Sequence, residues 1–442
     1  MTSFSIADLA KEDAVLKVMV TDLSGGFKEI IASTSILPSL VESGMAYDGS
    51  SFSGINAINN SDAILVGQPE TLVKMPSNLA DGEKNEYMII CNIHDAETKE
   101  PHSNCARSQL IRLQKELGKL WNGGKLYMGS EPEAYFIHQE KGMSPGDGNA
   151  NYFNPKDPKT FIITEIATTL DEMGFGMERA HTEVGEDQFE VNWKFDTAER
   201  TADKIQYYKL IAHKIARQYG YDVTFLPKPY PGRNGSGMHC HLSVQNEKEN
   251  LFYDAAGEEM NFSQSALHFL AGILQHSRAL AAISNPTEVS YSRLVPGFEA
   301  PCIIAAGSCN RSAACRIPAI ADENMRKKAI RVEIRYPDPM TNPYLLAAGF
   351  IAAGISGLAE KTPFDGFTNE NFYELSLAEI RERGLRLLPR NLWEAYNAFV
   401  DDKALEKHLG NMHTVHAESI LQEIDECQPY ANTHSFEKHY FA

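Results

Sequence analysis

No run of about 18 consecutive apolar residues occurs in this 442-residue chain, so no membrane-spanning helix is expected. The nearest approach, Tyr344–Ala359, carries three glycines and a serine and reads as a buried helix. Cysteine is scarce and odd in number, seven in all, with no CxxC spacing. That excludes a Cys-type zinc site and a disulfide framework and fits a reducing cytoplasm. The N-terminal MTSFSIADLAKEDAVLKV lacks an apolar core and is read as no signal peptide. Basic charge is also short. Lysine and arginine number 41 against 59 acidic residues, for a net charge of −18. This argues against a nucleic-acid partner, which requires a basic footprint, but not against a small anionic substrate held by local arginines. There is no Walker A sequence and no GxGxxG after a first strand, so neither a P-loop nor a Rossmann nucleotide site is expected.

What the chain does have is polar chemistry on alternate residues. Glu131-Pro132-Glu133, His239-Cys240-His241 and Glu333-Ile334-Arg335 each sit in apolar, strand-like surroundings. Residues i and i+2 of a strand share a face, so each motif aims two ionisable groups at one surface. Glu183 and Glu190 form a looser pair between them. Converging carboxylates are costly unless a positive charge lies among them. Divalent metals with an anionic nucleotide would satisfy them, and oxygen ligands with one or two histidines suit Mg²⁺ or Mn²⁺ better than a closed zinc site. The bland alternatives are an exposed edge pair of glutamates and ordinary core histidines. Asn234-Gly235-Ser236-Gly237 precedes the histidine strand and lets backbone approach a ligand closely. Arg293, Arg311, Arg316, Arg331 and Arg335, with Lys328, form either a solvated basic face or a phosphate- and carboxylate-binding set.

Coarse patterning divides the chain at residue 95. Residues 1–95 read as a small sheet-rich domain with strands near Val15–Val20, Glu29–Ala32, Ala63–Val66 and Tyr87–Cys91, and a helix at Ile36–Ser43. The polar Tyr47–Asp62 loop has little apolar content to hold it and reads as functional or docked on a partner. Residues 96–442 read as one large α+β domain. Strands are expected at Leu126–Ile137, Asp222–Leu226, Met238–Val244 and Ala329–Tyr336. Helices are expected from near Ser103 or Asn104, over Thr160–Met173, from a cap at Asp196 or Thr197 through Gln218, over Ser263–Ile283 and after Pro343, with a helical C-terminal region.

The ordered segments YDGSS, GSEPEAYF, HTEVGEDQFE, KPYPGRNGSGMHCHLS, NPTEVSYSRLVPGFEAP, NRSAACRIP, RVEIRYPDP and NPYLLAAG together resemble type I glutamine synthetase of bacteria and archaea. The resemblance spans essentially the whole chain. It implies a β-grasp-like N-terminal domain before a large catalytic domain of the glutamine synthetase/guanidino-kinase-like fold. It also implies a dodecamer of two hexameric rings, with active sites between subunits. The implied reaction joins ammonium to L-glutamate through γ-glutamyl phosphate at the expense of ATP, with two to three Mg²⁺ or Mn²⁺ ions per site. By resemblance, Glu133, Glu183 and Glu190 hold one metal, and Glu131, His239 and Glu333 another. Asp48 deprotonates ammonium, with Ser51, Tyr152 and Glu183 around it. Glu299 belongs to a shielding flap. Arg293, Arg311, Arg316, Arg335, Asn234 and Gly235 hold glutamate and the moving phosphate. Glu178, His241, Ser243, Lys328 and Arg331 lie on the nucleotide side, and Tyr373 falls near a modified tyrosine of some relatives.

The chain departs from the family pattern at Thr182 (usually histidine), Asp187 (glycine), Val289 (asparagine), Asn60 (glutamate), Asn154 (aspartate) and Met75-Pro76-Ser77 (an Asp-Pro-Phe stretch). An extra carboxylate at Asp187 is expected to lie close to the metal glutamates. A γ-glutamyl-amine ligase using a larger amine, and a non-catalytic assembly protein on the same fold, are the competing readings.

Overall fold

The computed structural model describes residues 4–142, 151–295, 300–320 and 322–427. The apolar run expected as the first strand is buried along six of its seven residues, which marks it as central. Among the described residues, six strands share its sheet: β1 (Val15–Thr21), β2 (Phe27–Ser33), β3 (Met45–Asp48), β4 (Asp62–Gly67), β5 (Val73–Lys74) and β6 (Glu86–Asp95). Their order is β2-β1-β6-β4-β3, with β5 on β6, and only the β1–β6 pair is parallel. The helix Leu37–Glu42 buries Leu37 and Leu40 in the core of this sheet with Val18, Leu65 and Ile89. The Tyr47–Asp62 segment is better anchored than its composition predicts. Phe52 and Ile55 are buried, and Phe52 stacks on Tyr47 with ring centroids 4.7 Å apart.

The second sheet is larger. Its strands are β7 (Lys125–His138), β8 (Met177–Thr182), β9 (Gln188–Trp193), β10 (Asp196–Thr197), β11 (Tyr221–Thr224), β12 (Met238–Gln245), β13 (Ile303–Ser308), β14 (Ala313–Ile317) and β15 (Val332–Ile334). The order is β13-β14-β15-β12-β7-β9-β8, with β10 and β11 also on β7. β7 is the spine. Its first half pairs with β12, Glu133–Tyr135 pair with β9, and Tyr135–His138 pair with β11. The even-numbered Leu126, Met128, Ala134 and Phe136 of β7 are buried in one core with Ile205, Tyr208 and Ile211 of the long helix Ala198–Gln218. Thr201 Oγ1 donates to the Met128 carbonyl at 2.6 Å, and Tyr208 Oη to that of Pro132 at 3.4 Å. The odd-numbered Gly129, Glu131 and Glu133 therefore face the other way.

Two elements differ from expectation. The helix predicted over Ser263–Ile283 is two helices, Gln264–Gln275 and Ser277–Ser284, broken at His276, whose Nδ1 lies 2.6 Å from Asp402. The last sheet strand is only Val332–Ile334, because Arg326–Ala329 form a helical turn just before it. The apolar helix Pro343–Glu360 is long and apolar enough to cross a membrane but lies 83% buried inside the protein. It crosses Gln264–Gln275 so closely that a Cβ at Gly272 would stand 2.3 Å from the Ala353 carbonyl oxygen.

Candidate active site

Register places the alternating motifs on one face of the second sheet. Glu131 lies directly opposite His239, Glu133 opposite Glu190, and Glu333 opposite both His241 and Arg316. Among the described residues two tight groups of candidate metal ligands result: Glu131 with His241 and Glu333, and His181 with Glu183 and Glu190. His241 Nε2 lies 3.2 Å from Glu131, and His239 Nδ1 lies 3.5 Å from it. His181 bridges the other pair, with Nδ1 3.4 Å from Glu183 and Nε2 3.4 Å from Glu190. Sequence reasoning passed over His181. Its place two residues before Glu183 on β8 was the available signal. Glu133 accepts from Gln188 Nε2 and the Gly237 backbone N–H, each at 3.0 Å.

The electrostatics are uneven. Burial raises Glu131, but hydrogen bonds from His239 and His241 outweigh it and hold its carboxyl well below the usual range. Burial likewise opposes ionisation of Glu333, yet His239, Arg335, His241 and Arg316 bring it down to about 2. Glu133 goes the other way: burial first, then the charge of Glu190, push it up to about 8. Burial, then Arg335, holds the His239 imidazole below its ordinary value. Two carboxylates whose joint ionisation is this costly would be stabilised by a cation between them, as by a shared proton. The donor set of glutamates with one or two histidines fits Mg²⁺ or Mn²⁺.

Cationic groups border these carboxylates. Arg316 and Arg335 bind the two oxygens of Glu333 at 2.5 and 2.6 Å. The buried Nε of each arginine has no hydrogen-bond partner among the described residues. Buried donors of this kind call for an acceptor that a bound anion would supply. Arg293 is 3% exposed and donates to the carbonyls of Arg335, Tyr336 and Pro337. It also crosses the glycine turn, where a Cβ on Gly237 would meet its Nη2 at 2.4 Å. The Asn234 carbonyl accepts from Tyr135 Oη at 2.7 Å, and that of Gly235 accepts from Gln188 at 3.1 Å, which fixes this turn beside Glu133.

Glu178, His241, Ser243, Lys328 and Arg331 all line one cavity of about 280 Å³ that shares Glu131 with the metal face. Arg331 Nε donates to His241 Nδ1 at 3.2 Å. Arg179 and Phe195 stand out among the lining residues absent from the sequence-based set. Arg179 pairs with Glu131, and Phe195 is 54% exposed with its ring edge-on to Tyr127. An exposed aromatic beside a basic rim is the signal that sequence alone did not isolate.

The remaining predicted residues lie elsewhere or beyond description. Asp48 ends β3 of the first sheet and Ser51 lies in the helical turn that follows, where the exposed Asp48 carboxylate accepts from Ser50 and Ser51. Hydrogen bonds from Ser50 lead in holding its carboxyl below the usual value. Arg311 is exposed in a separate hollow of about 350 Å³ with Asn369, Asn371 and Tyr373, whose Oη donates to the Arg311 carbonyl at 3.2 Å. Glu299 falls outside the described residues. Tyr152 lies edge-on to His181 at 5.9 Å. Asp187 does not join the metal carboxylates as expected: its side chain is held by Lys159 at 2.7 Å. Its φ of +67° explains why glycine suits the position and why aspartate, which tolerates the left-handed region better than most, can replace it.

Family comparisons agree with this geometry. Residues 14–96 match the glutamine synthetase β-grasp domain, and residues 103–439 match the glutamine synthetase catalytic domain. A glutamine synthetase of Methanocaldococcus jannaschii is 39% identical over 85% of this chain and 82% of its own length. The fold is shared with a solved GmaS/ADP complex (TM-score 0.86, 24% identity, 100% of each chain covered). It is also shared with Plasmodium falciparum glutamine synthetase (TM-score 0.84, 24% identity, 99% of each). With both domains matched in order and the carboxylate–histidine face lying within the second, the chain belongs to the glutamine synthetase family.

Proposed function

We propose that this protein is an ATP-dependent glutamate–ammonia ligase. The observation that carries the reading is the continuity of the two metal-ligand groups, the arginine pair on Glu333 and the cavity holding all five nucleotide-side residues. Glu131, His239, His241 and Glu333 would hold one divalent ion, and Glu133, His181, Glu183 and Glu190 another. Such ions, when bound, neutralise charge on a transferring phosphoryl group. Arg316 and Arg335 add donors on the same side, with Nε atoms free to meet an anionic oxygen. Arg293 braces the Asn234–Gly237 turn, whose backbone would contact glutamate. A glutamate carboxylate has a poor leaving group, so ATP first converts it to the γ-glutamyl phosphate, which an amine then attacks.

Ammonium must lose a proton before attack. Asp48 is the proposed base, kept ionised by its serine partners. It sits on the first sheet rather than on the carboxylate face, which supports a site completed by the Asp48 loop of a neighbouring subunit, as in a ring assembly. Arg311 and Glu299 complete the proposed catalytic set, Ser51 and Tyr152 flank the ammonium, and the cytoplasm is the proposed compartment. The division of the chain near residue 95 belongs to the same reading.

The test is phosphate release from ATP with glutamate and Mg²⁺, with ammonium, methylamine, ethanolamine or putrescine as acceptor. Ammonium-dependent release with glutamine as product is expected. Turnover with a larger amine alone would replace this reading by a γ-glutamyl-amine ligase.

A further inference from the structure

Three of the positions that depart from the family pattern, Thr182, Asn154 and Asp187, lie on one continuous polar network. Thr182 Oγ1 accepts from the Asn154 backbone N–H at 2.9 Å and donates to the Asn151 carbonyl at 2.8 Å. The Phe153 N–H donates to the Thr182 carbonyl at 3.2 Å, and the Asn151 N–H to that of Val184 at 3.1 Å. Asn151 takes a side-chain bond from Asn154 at 2.7 Å and gives one to Asp157 at 2.5 Å. Asp157 lies 3.2 Å from Lys159, and Lys159 lies 2.7 Å from Asp187. The chain of bonds therefore begins at the end of β8 and returns at Asp187, one residue before β9. Both ends are anchored on the hairpin that carries His181, Glu183 and Glu190.

The network encloses a strained aromatic turn. Phe153 adopts φ +52°, an outlier for a bulky side chain that persists only where its surroundings over-determine it. Its ring stands edge-on to His181 at 4.7 Å, and Tyr152 packs against it at 3.8 Å. Both rings remain about half exposed, Tyr152 at 44% and Phe153 at 58%. They form one wall over the His181 carboxylate group without being buried in any core. Lys159 is 11% exposed and opens the helix Thr160–Glu172, so the tether is fixed to a rigid element.

We infer that the Lys159–Asp187 ion pair, with Thr182, is a clamp that holds the Tyr152–Phe153 turn over His181 and sets how tightly the acceptor amine is bound. Lys159, Asp187 and Thr182 are positioning residues: they act through the aromatic wall. The inference deepens the ligase reading and rests on it for the identity of the acceptor.

The experiment compares wild type with Lys159→Met, Asp187→Asn and the conservative Lys159→Arg. Ammonium KM, kcat and Mn²⁺ affinity by calorimetry are measured for each, together with amide hydrogen exchange. In Lys159→Met and Asp187→Asn, KM for ammonium is expected to rise roughly tenfold, as for a contact group displaced by a fraction of an ångström. The kcat and Mn²⁺ affinity stay within about twofold, and Lys159→Arg restores KM. Exchange at residues 152–154 accelerates while β9 keeps its protection. An unchanged KM overturns the specificity role. So does a joint collapse of kcat and Mn²⁺ affinity, which would make the pair purely structural. Unchanged exchange overturns the clamp itself. A wild type without ammonium-dependent turnover sinks the ligase reading instead, and exchange still decides the clamp.

Discussion

Loading the carboxylate face with a divalent cation is predicted to expel a proton from Glu133. This residue lies opposite Glu190 on the neighbouring strand, and burial, then that charge, push its carboxyl up to about 8. A group with that pKa is about nine-tenths protonated at pH 7 and about one-tenth at pH 9. A carboxylate must be ionised to bind a metal. Titration with Mn²⁺ at pH 7 therefore releases about 0.9 proton from this residue, and apparent affinity rises roughly tenfold between pH 7 and pH 9. Calorimetry in two buffers of different ionisation enthalpy reads the proton count directly, and Glu133→Gln abolishes this release. The stability sign follows from the same shift. The folded value lies above the ordinary 4.5, so the contribution is favourable below 4.5 and is lost as pH rises towards 8. By pH 7 the metal-free protein loses at most about 3 kcal/mol, since Glu133 keeps some solvent contact. Proton release near zero at pH 7, with affinity flat from pH 7 to 9, would refute the electrostatic account.

Other consequences can be checked independently. His416 is buried, and burial lowers its imidazole to about 4. Stability is then full above 6.5 and falls by about 3 kcal/mol as pH drops through 4, because the unfolded chain takes up a proton the native state refuses. Replacing His416 with Gln should flatten that acid limb in denaturant titrations. Gly237→Ala puts a methyl group 2.4 Å from the Arg293 guanidinium. It should raise KM for glutamate by tenfold or so while leaving ADP affinity unchanged. If the Asp48 loop completes a neighbour's site, mixing inactive Asp48→Ala and Glu190→Ala subunits through dissociation and reassembly restores about a quarter of the sites. Mixtures that stay inactive would place Asp48 in its own chain's site or outside any site.

The second-sheet face was legible because a strand's two-residue period is rigid. Once Glu131 and Glu133, His239 and His241, and Glu333 and Arg335 were read as strand residues, their shared surface followed, and the pairing registers agree. Alternation within a strand does not reveal which strands are neighbours. The direct opposition of Glu133 to Glu190, and of Arg316 to Glu333, became visible only with the sheet order. Phe195 escaped notice because its significance lies in facing a cavity formed by β7, β12 and the Arg326–Ala329 turn. The break at His276 was hidden because apolar residues continue at helical spacing across it, while a tertiary contact to Asp402 marks the break. Asp187 was misplaced for a similar reason. Proximity in sequence to Glu183 and Glu190 carried no information about Lys159, 28 residues earlier, which claims its carboxylate.

The proposed reaction at this site forms an amide between ammonium and the glutamate side chain. Incubating the protein with ¹⁵N-ammonium, glutamate, ATP and Mg²⁺, and following the products by NMR, tests it without intermediaries. ¹⁵N-labelled side-chain amide of glutamine is expected to appear in step with ADP. ATP consumption without a labelled amide, or no consumption at all, would contradict it.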